Sequence, residues 1–469
     1  MKIALVHYHL NTGGVTTVLK RQIAALQDHC DLLVLTGDGA AVQLPCPVEE
    51  IPGLGYDRPG GPLFPPKQTA GQVLASLHRK WPLGCDLLHI HNPILAKNRQ
   101  FLQILRHLQQ AGLELFLQVH DFAEDGRPNV YFDEPYPENC HYGVINTRDM
   151  SLLRRAGLTE AGVHYLPNAV EEGVGQVNRT PKPQVLYPVR TIRRKNLGEA
   201  VLLSLFFKQD QRLVVTQPPS SPTDAASSRD WDAWIRDNRL PIDLEAGQKK
   251  DFETLVADSE SIVTTSIAEG FGMVYLEPWM AGKPLWGRRL QDVCVDFETS
   301  GIRLDWLYNR LNIPLDWFDG NRFSASWHTA VFEAAGRFGH LLPADRVTDA
   351  FDRIVDDGEV DFGLLNEALQ RQVLIKLIGD IGARKTLMQM NPWLADAGSV
   401  LVPGDAIQAN RNAVLRHYGL DRYRGRLMGI YERVVGRVVR QHIDKDILRD
   451  VFFDLDRFSL LKWGPYEEA

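Results

Sequence analysis

The sequence predicts an α/β protein built from two Rossmann-like, doubly wound domains, with an added helical C-terminal region. The chain has 469 residues, more than one hydrophobic core ordinarily supports, which predicts two or three domains. Short apolar runs alternate with segments of helical periodicity, a pattern typical of parallel sheets covered by helices. The alternation stops in residues 171–184, which contain several Gly and Pro residues, and then begins again. This break indicates a linker between two similar domains.

The first domain is expected to span residues 1–178. Residues 2–8, KIALVHY, form an apolar run that predicts a buried strand. Residues 14–26 place apolar side chains three and four positions apart, which predicts a helix. Further strands are predicted at 31–36, 86–91, 114–120 and 142–146.

The second domain is expected to span residues 179–439. Its strands are predicted at 185–189, 212–216 and 261–265, and its helices near 197–208, 249–258 and 273–282. Beyond about residue 300 the sequence shows little strand signal, so about 300–400 is predicted to be a helical insertion. Residues 410–449 are helical in pattern and locally basic. For these residues we favour a solvated or domain-bridging helix over a membrane-surface helix.

Composition disfavours several classes of protein. With 44% apolar and 24% charged residues the chain has the composition of a soluble globular protein, and a formal net charge of -7 disfavours a nucleic-acid partner. The five cysteines are scattered and odd in number, which favours a reducing cytoplasm over a disulfide framework. The N-terminal apolar run is too short for a signal peptide. No window approaches the roughly 20 apolar residues of a spanning helix, so the sequence predicts a cytoplasmic protein.

Ligands of open α/β sheets bind where the carboxyl ends of strands lead into loops. The first such loop, HYHLNTGGVTT, contains Gly13 and Gly14 at the start of a predicted helix, where backbone N–H groups can face an anion or a hydroxyl-rich ligand. The loop lacks the GxGxxG pattern and an acidic residue at the ribose distance, which disfavours a dinucleotide dehydrogenase. A plain tight turn is an equal alternative for the glycine pair.

The second loop begins with His120 and Asp121, directly after an apolar strand. At this position a functional role and a purely structural role of His120 are equally compatible with the sequence. His89 and His91 alternate along another strand and therefore share a face. Nothing nearby completes a ligand set, so we disfavour a metal site.

The third loop, in LYPVRTIRRKN, gathers four cations at the end of a strand: Arg190, Arg193, Arg194 and Lys195. Four cations without an acidic neighbour indicate a clamp for phosphate. Arginine is suited to bidentate contact with phosphate, and lysine acts as a point charge.

The fourth loop joins a strand to the predicted helix 273–282 and contains Gly270 and Gly272. These glycines allow the backbone to approach a ligand closely, and the N-terminus of the helix favours a diphosphate. A carboxylate beside that diphosphate would be repelled, so Glu269 and Glu277 are better suited to accept hydrogen bonds from neutral hydroxyls. On this reasoning Glu277 holds a ribose diol and Glu269 holds a sugar beyond the phosphates. The alternative is a helix-capping acid together with an ordinary surface glutamate.

Together these loops resemble the retaining glycosyltransferases of family 4, which have the GT-B fold. The resemblance implies that the two domains face a cleft. The resemblance is carried by the glycine pair of HYHLNTGGVTTV, by VHDF, by LYPVRTIRRKN and above all by EGFGMVYLE. The two glutamates of EGFGMVYLE are separated by seven residues, as in the family's motif. The resemblance covers about residues 1–290. The chain departs from the family's pattern after the second glutamate and in its long helical region.

The resemblance implies a role for each matching residue. Arg190 and Lys195 would bind the donor diphosphate, and Arg193 or Arg194, which lie between them, would share that role. Glu277 would hold the ribose and His120 would line the sugar pocket. Glu269 and the backbone amides of Gly270, Phe271 and Gly272 would hold the transferred sugar and phosphate. Gly13 and Gly14 would lie at the phosphate and acceptor side of the cleft.

The resemblance also implies a reaction. A sugar would pass from a UDP-, GDP- or ADP-sugar to an acceptor hydroxyl with retention of configuration, without a cofactor or metal. Because no side chain is an obvious nucleophile, same-face attack is the favoured route. The acceptor would be a small solute or a glycan. The net negative charge and the lack of a membrane segment in the sequence favour a soluble acceptor. In this fold the final helix often returns to the first, acceptor-side domain, so residues 440–469 are expected to do so, while the second domain binds the nucleotide sugar.

Three other readings of the same residues stay open. The chain could be another GT-B enzyme, either a sugar phosphorylase or a nucleotide-sugar epimerase. It could also be a non-catalytic scaffold that binds sugar nucleotides. Likeness of fold does not by itself decide function.

Overall fold

The chain forms two compact units, each built around one parallel β-sheet. The computed structural model describes residues 1–38, 43–171, 180–219 and 221–465. Unit 1 comprises Met1–Glu171 and Arg416–Phe452, apart from residues 39–42. Unit 2 comprises the described residues of 180–415 and 453–465. The predicted α/β class with two Rossmann-like units is confirmed.

Unit 1 contains a seven-stranded sheet. Its strands are β1 (Lys2–His7), β2 (Asp31–Thr36), β3 (Val48–Glu50), β4 (Leu87–His91), β5 (Leu115–Val119), β6 (His141–Val144) and β7 (Val163–Tyr165). They pair in the order β3-β2-β1-β4-β5-β6-β7, and every pair is parallel. The strand order reverses between β1 and β4, and in doubly wound sheets ligands bind beyond the carboxyl ends of the strands at such a point.

Unit 2 contains a six-stranded sheet with the same kind of reversal. Its strands are β8 (Gln184–Arg190), β9 (Arg212–Gln217), β10 (Ile242–Asp243), β11 (Ser261–Thr264), β12 (Leu285–Arg288) and β13 (Leu307–Tyr308). They pair in parallel in the order β10-β9-β8-β11-β12-β13, so the reversal lies between β8 and β11. A separate antiparallel pair, β14 (Asn312–Pro314) and β15 (Glu359–Asp361), lies within the region predicted to be a helical insertion.

The α-helices connect and cover these sheets. In chain order they are α1 (Gly14–Leu26), α2 (Pro66–Lys80), α3 (Phe101–Gln110), α4 (Thr147–Arg155), α5 (Leu197–Ser204), α6 (Pro222–Asp237), α7 (Phe252–Asp258), α8 (Glu277–Met280), α9 (Gln291–Thr299), α10 (Gly320–Arg337), α11 (Ala344–Ile354), α12 (Glu367–Gly379), α13 (Ile381–Met390), α14 (Gly404–Tyr418), α15 (Leu420–Gly436), α16 (Lys445–Phe452) and α17 (Leu460–Trp463). None of the helices in the described part of the chain is both long and apolar enough to cross a membrane.

Both faces of the unit 1 sheet are buried. Successive residues of a strand point to opposite faces, and Ile3 of β1 belongs to one apolar cluster while Ala4 belongs to another. The cluster of Ile3 includes Leu427 of α15, and the cluster of Ala4 includes Leu448 of α16. Each fully buried aliphatic side chain of this size contributes about 1.5–3 kcal/mol. The C-terminal helices therefore complete the core of unit 1.

The C-terminal segment divides at a different place from the predicted one. Residues 440–469 were expected to pack together on the first domain, and residues up to 439 to belong to the second. In the structure Arg416–Phe452 belongs to unit 1, and the described residues from 453 onward belong to unit 2. The chain returns to unit 1 earlier than predicted because the buried, apolar residues of α15 pack against the sheet of unit 1. Residues 172–179, the middle of the predicted linker, lie outside the described residues.

The sequence did not predict strand β12, which ends in a buried arginine. The side chain of Arg288 is 5% exposed. Its Nε and Nη2 donate to Glu199 at 2.8 and 2.6 Å, and its Nη1 and Nη2 donate to Asp361 at 2.7 Å each. An arginine at the end of a short apolar run indicates a surface position in the sequence. In the structure two carboxylates pair with the Arg288 guanidinium, which allows it to be buried.

We expect Arg288→Ala to lower the free energy of unfolding by about 3–5 kcal/mol, because Glu199 and Asp361 would remain buried without their partner. Urea unfolding measures this change. The matched control is Arg289→Ala, since Arg289 pairs with the part-exposed Glu298 and exposed or part-exposed pairs contribute about 1 kcal/mol or less. Equal losses of stability in the two variants would contradict the account.

Candidate functional site

The four predicted loops lie at carboxyl ends of strands, and two of them meet in unit 2. Strands β8 and β11 are parallel neighbours, with Val185 opposite Ser261 and Leu186 opposite Ile262. Their carboxyl ends therefore lie side by side at the reversal of strand order. Arg190 is the last residue of β8, and the loop that contains Glu269 follows β11.

Backbone and side-chain hydrogen bonds join these two loops. The N–H of Ile267 donates to the carbonyl of Arg194 at 2.9 Å. The carbonyl of Lys195 accepts from the Thr265 hydroxyl at 3.1 Å and also from the buried Tyr187 hydroxyl. The positions of Arg194 and Lys195 are thus fixed relative to the loop that follows β11.

The central contact of the site is an ion pair between Lys195 and Glu269. The Lys195 ammonium donates to Oε1 of Glu269, and the two side chains are 15% and 10% exposed. Burial acts to raise the pKa of Glu269, but the charges of Lys195 and Arg194 outweigh burial and hold that pKa below its usual value. Glu269 is therefore ionised at neutral pH and can accept hydrogen bonds from hydroxyl groups.

Arg193 does not belong to the cationic clamp. Its Nε and Nη2 donate to the two carboxylate oxygens of Glu367 at 2.7 and 2.8 Å. Its Nη1 donates to the carbonyl of Gly464 at 2.8 Å, and the side chain is 5% exposed. These contacts contradict a role of Arg193 in the predicted clamp. The clamp itself stays a prediction, for Arg190, Arg194 and Lys195.

The glycine–aromatic–glycine run has a structural explanation in part. Gly272 has φ +85°, and a Cβ there would lie 2.7 Å from Cγ1 of Val293. The Phe271 side chain is buried, with its ring centroid 5.5 Å from that of Phe297. Packing therefore accounts for Gly272 and for the ring of Phe271. The predicted role of the Gly270, Phe271 and Gly272 amides stays a prediction.

The predicted continuous helix 273–282 is wrong. The structure has a 3-10 turn at Met273–Tyr275, followed by the four-residue helix α8. Pro278 has no N–H to donate to a residue four positions earlier, which interrupts α-helical hydrogen bonding. Glu277 is therefore the first residue of α8 and does not lie one turn inside a helix. A helix this short does not supply the dipole expected to favour a diphosphate.

The glycine pair of unit 1 opens α1, as predicted. Gly13 precedes the helix with φ -177°, and Gly14 is its first residue. A Cβ on Gly14 would meet no heavy atom within 4 Å, and on Gly13 the nearest would be 3.8 Å away. Neither packing nor an unusual φ thus requires these glycines. Their role toward a ligand stays a prediction.

His120 follows β5 and is held by two residues at the end of β4. Its backbone N–H donates to Oδ1 of Asn92 at 2.7 Å, and its Nε2 lies 2.9 Å from Nδ1 of His91. Burial lowers the pKa of His120 to about 4, against a smaller opposite effect of Asp121. The imidazole is therefore neutral at pH 7.

His91 belongs to a buried polar network that the sequence did not reveal. Its ring stacks on that of His89, with 4.6 Å between centroids, so the two share a face as predicted. His89 Nδ1 lies 2.7 Å from the hydroxyl of Tyr431, and His89 Nε2 lies 2.8 Å from Oε1 of Gln118. Within the described ranges no group of three or more His, Cys, Asp or Glu is placed to hold a metal ion. Tyr431 is 342 positions from His89, so no local pattern could have indicated this contact.

Comparison with known proteins gives one relative that matches over the full length. The chain is 24% identical to mannosylglucosyl-3-phosphoglycerate synthase of Petrotoga mobilis over 517 residues, which covers 97% of this chain and 98% of that protein. No protein-family model matches the chain.

Solved structures show the fold. Anabaena HepE in complex with UDP-glucose matches with a TM-score of 0.54 at 13% identity, covering 93% of this chain and 98% of HepE. Sucrose-phosphate synthase from Thermosynechococcus elongatus matches with a TM-score of 0.53 at 14% identity, covering 92% and 99%. A UDP-forming trehalose-phosphate synthase from Burkholderia xenovorans matches with a TM-score of 0.52 at 13% identity, covering 92% and 99%. The two parallel-sheet units are those of the GT-B fold.

We expect the stability of the protein to decrease as the pH falls from about 6.5 toward 4, in part because of His120. Its pKa is about 4 in the folded protein against 6.5 ordinarily, so the unfolded chain takes up the proton first. Between these pH values His120 lowers the free energy of unfolding by about 1.4 kcal/mol for each unit by which the pH falls. His120→Gln removes that contribution, which urea unfolding at several pH values measures.

The control for this experiment is His78→Gln, because His78 is exposed on α2. It should leave the pH dependence of stability unchanged. A His120→Gln variant with the same slope as the parental protein would show that His120 is not buried in its neutral form.

Proposed function

We propose that the chain is a glycosyltransferase that transfers a sugar from a nucleotide-diphosphate sugar to a hydroxyl of an acceptor. The ion pair of Lys195 and Glu269 carries this proposal. It places a cation suited to phosphate beside a carboxylate suited to sugar hydroxyls, at the strand-order reversal of unit 2. The GT-B fold and the full-length similarity to a synthase of a glycosylated phosphoglycerate support the same reaction class.

In the proposed donor site, unit 2 binds the nucleotide sugar. Arg190, Arg194 and Lys195 neutralise the diphosphate, and Glu269 accepts hydrogen bonds from the sugar. Glu277 is half-buried at the start of α8 and accepts from the ribose diol. We assign the acceptor to unit 1, in which His120, Gly13 and Gly14 lie. For His120 we propose the role that the family resemblance implies, lining the sugar pocket, as a neutral hydrogen-bonding group.

The proposed mechanism is a same-face displacement that retains the anomeric configuration, as in family 4. The bond between the anomeric carbon and the phosphate oxygen breaks, and its electron pair stays on the diphosphate. The acceptor oxygen bonds to the same face, and its proton passes to the departing phosphate oxygen. In this mechanism the Glu269 carboxylate accepts hydrogen bonds from the sugar and is not assigned as a nucleophile. The three cations stabilise the charge of the leaving group, so the mechanism requires no divalent ion.

The names of the relatives support a choice among the proposed acceptors. The name of the Petrotoga relative describes the synthesis of a glycosylated phosphoglycerate, and two structural neighbours are named as synthases of sugar phosphates. HepE is described with UDP-glucose. We therefore propose a small, soluble acceptor in preference to a glycan, and a UDP-, GDP- or ADP-sugar as donor. We propose a cytoplasmic location, which the scattered and odd-numbered cysteines of the sequence favour.

We expect Lys195→Met to lower turnover by about 100-fold or more, by analogy with a lost transition-state donor. We expect Glu269→Gln to lower turnover as well, because the charged acceptor for the sugar hydroxyls is lost. Acceptor-dependent release of nucleoside diphosphate from a nucleotide sugar measures this rate. A thermal-shift screen with UDP, GDP, ADP and their sugars first identifies the donor, because a specific ligand raises the unfolding midpoint.

The control is Lys208→Met, an exposed lysine of the same unit, which should transfer sugar at the parental rate. If Lys195→Met and Glu269→Gln both transfer sugar at the parental rate, the proposed location of the donor site is wrong. A parental protein that converts the sugar of its donor without an acceptor would instead be an epimerase, and one that needs inorganic phosphate would be a sugar phosphorylase. Binding of sugar nucleotides without turnover of any acceptor would indicate the scaffold.

A further inference from the structure

Three loops of unit 1 converge beyond the carboxyl ends of its strands. The Asn98 side chain donates to the carbonyls of Gly53 and Gly55 at 2.8 Å each. The N–H of Ala96 donates to the carbonyl of Val130 at 2.7 Å. The loop after β4 is thus held between the loops that follow β3 and β5. It also begins at the strand-order reversal, where doubly wound sheets bind ligands.

This convergence places Lys97 in an unusual setting for a lysine. Its side chain is half-buried, and its ammonium lies 5.5 Å from the centre of the Tyr56 ring. Among the residues that the structure describes, Lys97 forms no ion pair. Burial lowers the pKa of Lys97, and the charge of Arg127 lowers it more than Asp121 raises it. The ammonium is therefore partly desolvated, and the charge of Arg127 disfavours its protonated form.

A second cation and a histidine lie beside Lys97. Arg127 donates from Nη2 to Asp121 at 2.7 Å, and its charge acts on the Lys97 ammonium and lowers the pKa of Lys97. The His9 ring lies 5.0 Å from the Tyr56 ring, and its buried Nδ1 has no hydrogen-bond partner in the described part of the chain. The set of His9, Tyr56, Lys97 and Arg127 is called the Lys97 cluster below.

We infer that the Lys97 cluster binds the anionic group, phosphate or carboxylate, of an acidic acceptor. The inference rests on the proposed function and names the class of its second substrate. A half-buried cation without a countercharge is costly, and an anion between Lys97 and Arg127 would remove their mutual repulsion. Tyr56 and His9 would add hydrogen bonds to the anion's oxygens. An ordinary surface lysine instead keeps its head group in water.

The first experiment measures acceptor kinetics in Lys97→Met, with Lys67→Met, an exposed lysine on α2, as the control. For an anionic acceptor we expect KM to rise about 10- to 100-fold in Lys97→Met, the range for a lost charged hydrogen bond. The KM of the donor, the slow hydrolysis of the donor without acceptor, and the KM of a neutral sugar acceptor should not change. Lys97→Arg should recover most of the loss, because it restores the charge.

Direct binding separates the two anion chemistries and does not depend on turnover. Calorimetric titration of the parental protein with inorganic phosphate, glycerol 3-phosphate, glycerate and 3-phosphoglycerate shows which anion is bound. The anions that bind should bind about 10-fold or more weakly to Lys97→Met. The same anions should slow acylation of Lys97 in the parental protein, a measurement that needs no variant.

Each outcome bears on a different claim. An unchanged acceptor KM in Lys97→Met, an equal loss for neutral and anionic acceptors, or acylation that no anion slows would each overturn the inference. A parental protein that binds these anions at Lys97 but neither binds nor turns over any nucleotide sugar would refute the proposed function and leave the anion site standing.

Discussion

The contact between Lys195 and Glu269 is the constraint on which the rest of the candidate site depends. Both side chains are largely buried, and either charge would be strongly destabilised there without the other. The contact exists because β8 and β11 are parallel neighbours whose loops share hydrogen bonds through Thr265 and Ile267. The Lys195 ammonium and the Glu269 carboxylate therefore have fixed positions before a ligand binds to them.

The same residue types have different roles according to their partners. In unit 2, Arg193 and Arg288 are each bound by buried or part-buried carboxylates and stabilise the fold, whereas Arg194 influences the charge state of Glu269. In unit 1, His89 bonds to the C-terminal helix α15 through Tyr431. His120 lies at the loop end of the same histidine stack. The roles of these residues therefore depend on their burial and on their hydrogen-bond or ion-pair partners, and cannot be told from the residue type alone.

The sequence predicted the features that local periodicity and strand-end position determine. Strand β2 and helix α1 match their predicted bounds. The sequence also indicated that the cations after β8 and the glutamates after β11 lie near each other, because the carboxyl ends of parallel strands meet at one edge of a sheet. The break of the predicted helix 273–282 could have been predicted, because Pro278 is visible in the sequence and lacks an N–H. Two features lay beyond such reasoning. Glu367, the partner of Arg193, is 174 positions away. Lys97 belongs to no motif, and only the folded loops place it where the charge of Arg127 acts on it.

A crystal structure of the protein with its bound nucleotide sugar tests the central claim most directly. The account predicts the diphosphate beside Arg190, Arg194 and Lys195, with a hydroxyl of the sugar within hydrogen-bonding distance of the Glu269 carboxylate. A nucleotide sugar bound elsewhere, or one whose sugar makes no contact with Glu269 while its phosphates avoid Lys195, would contradict it.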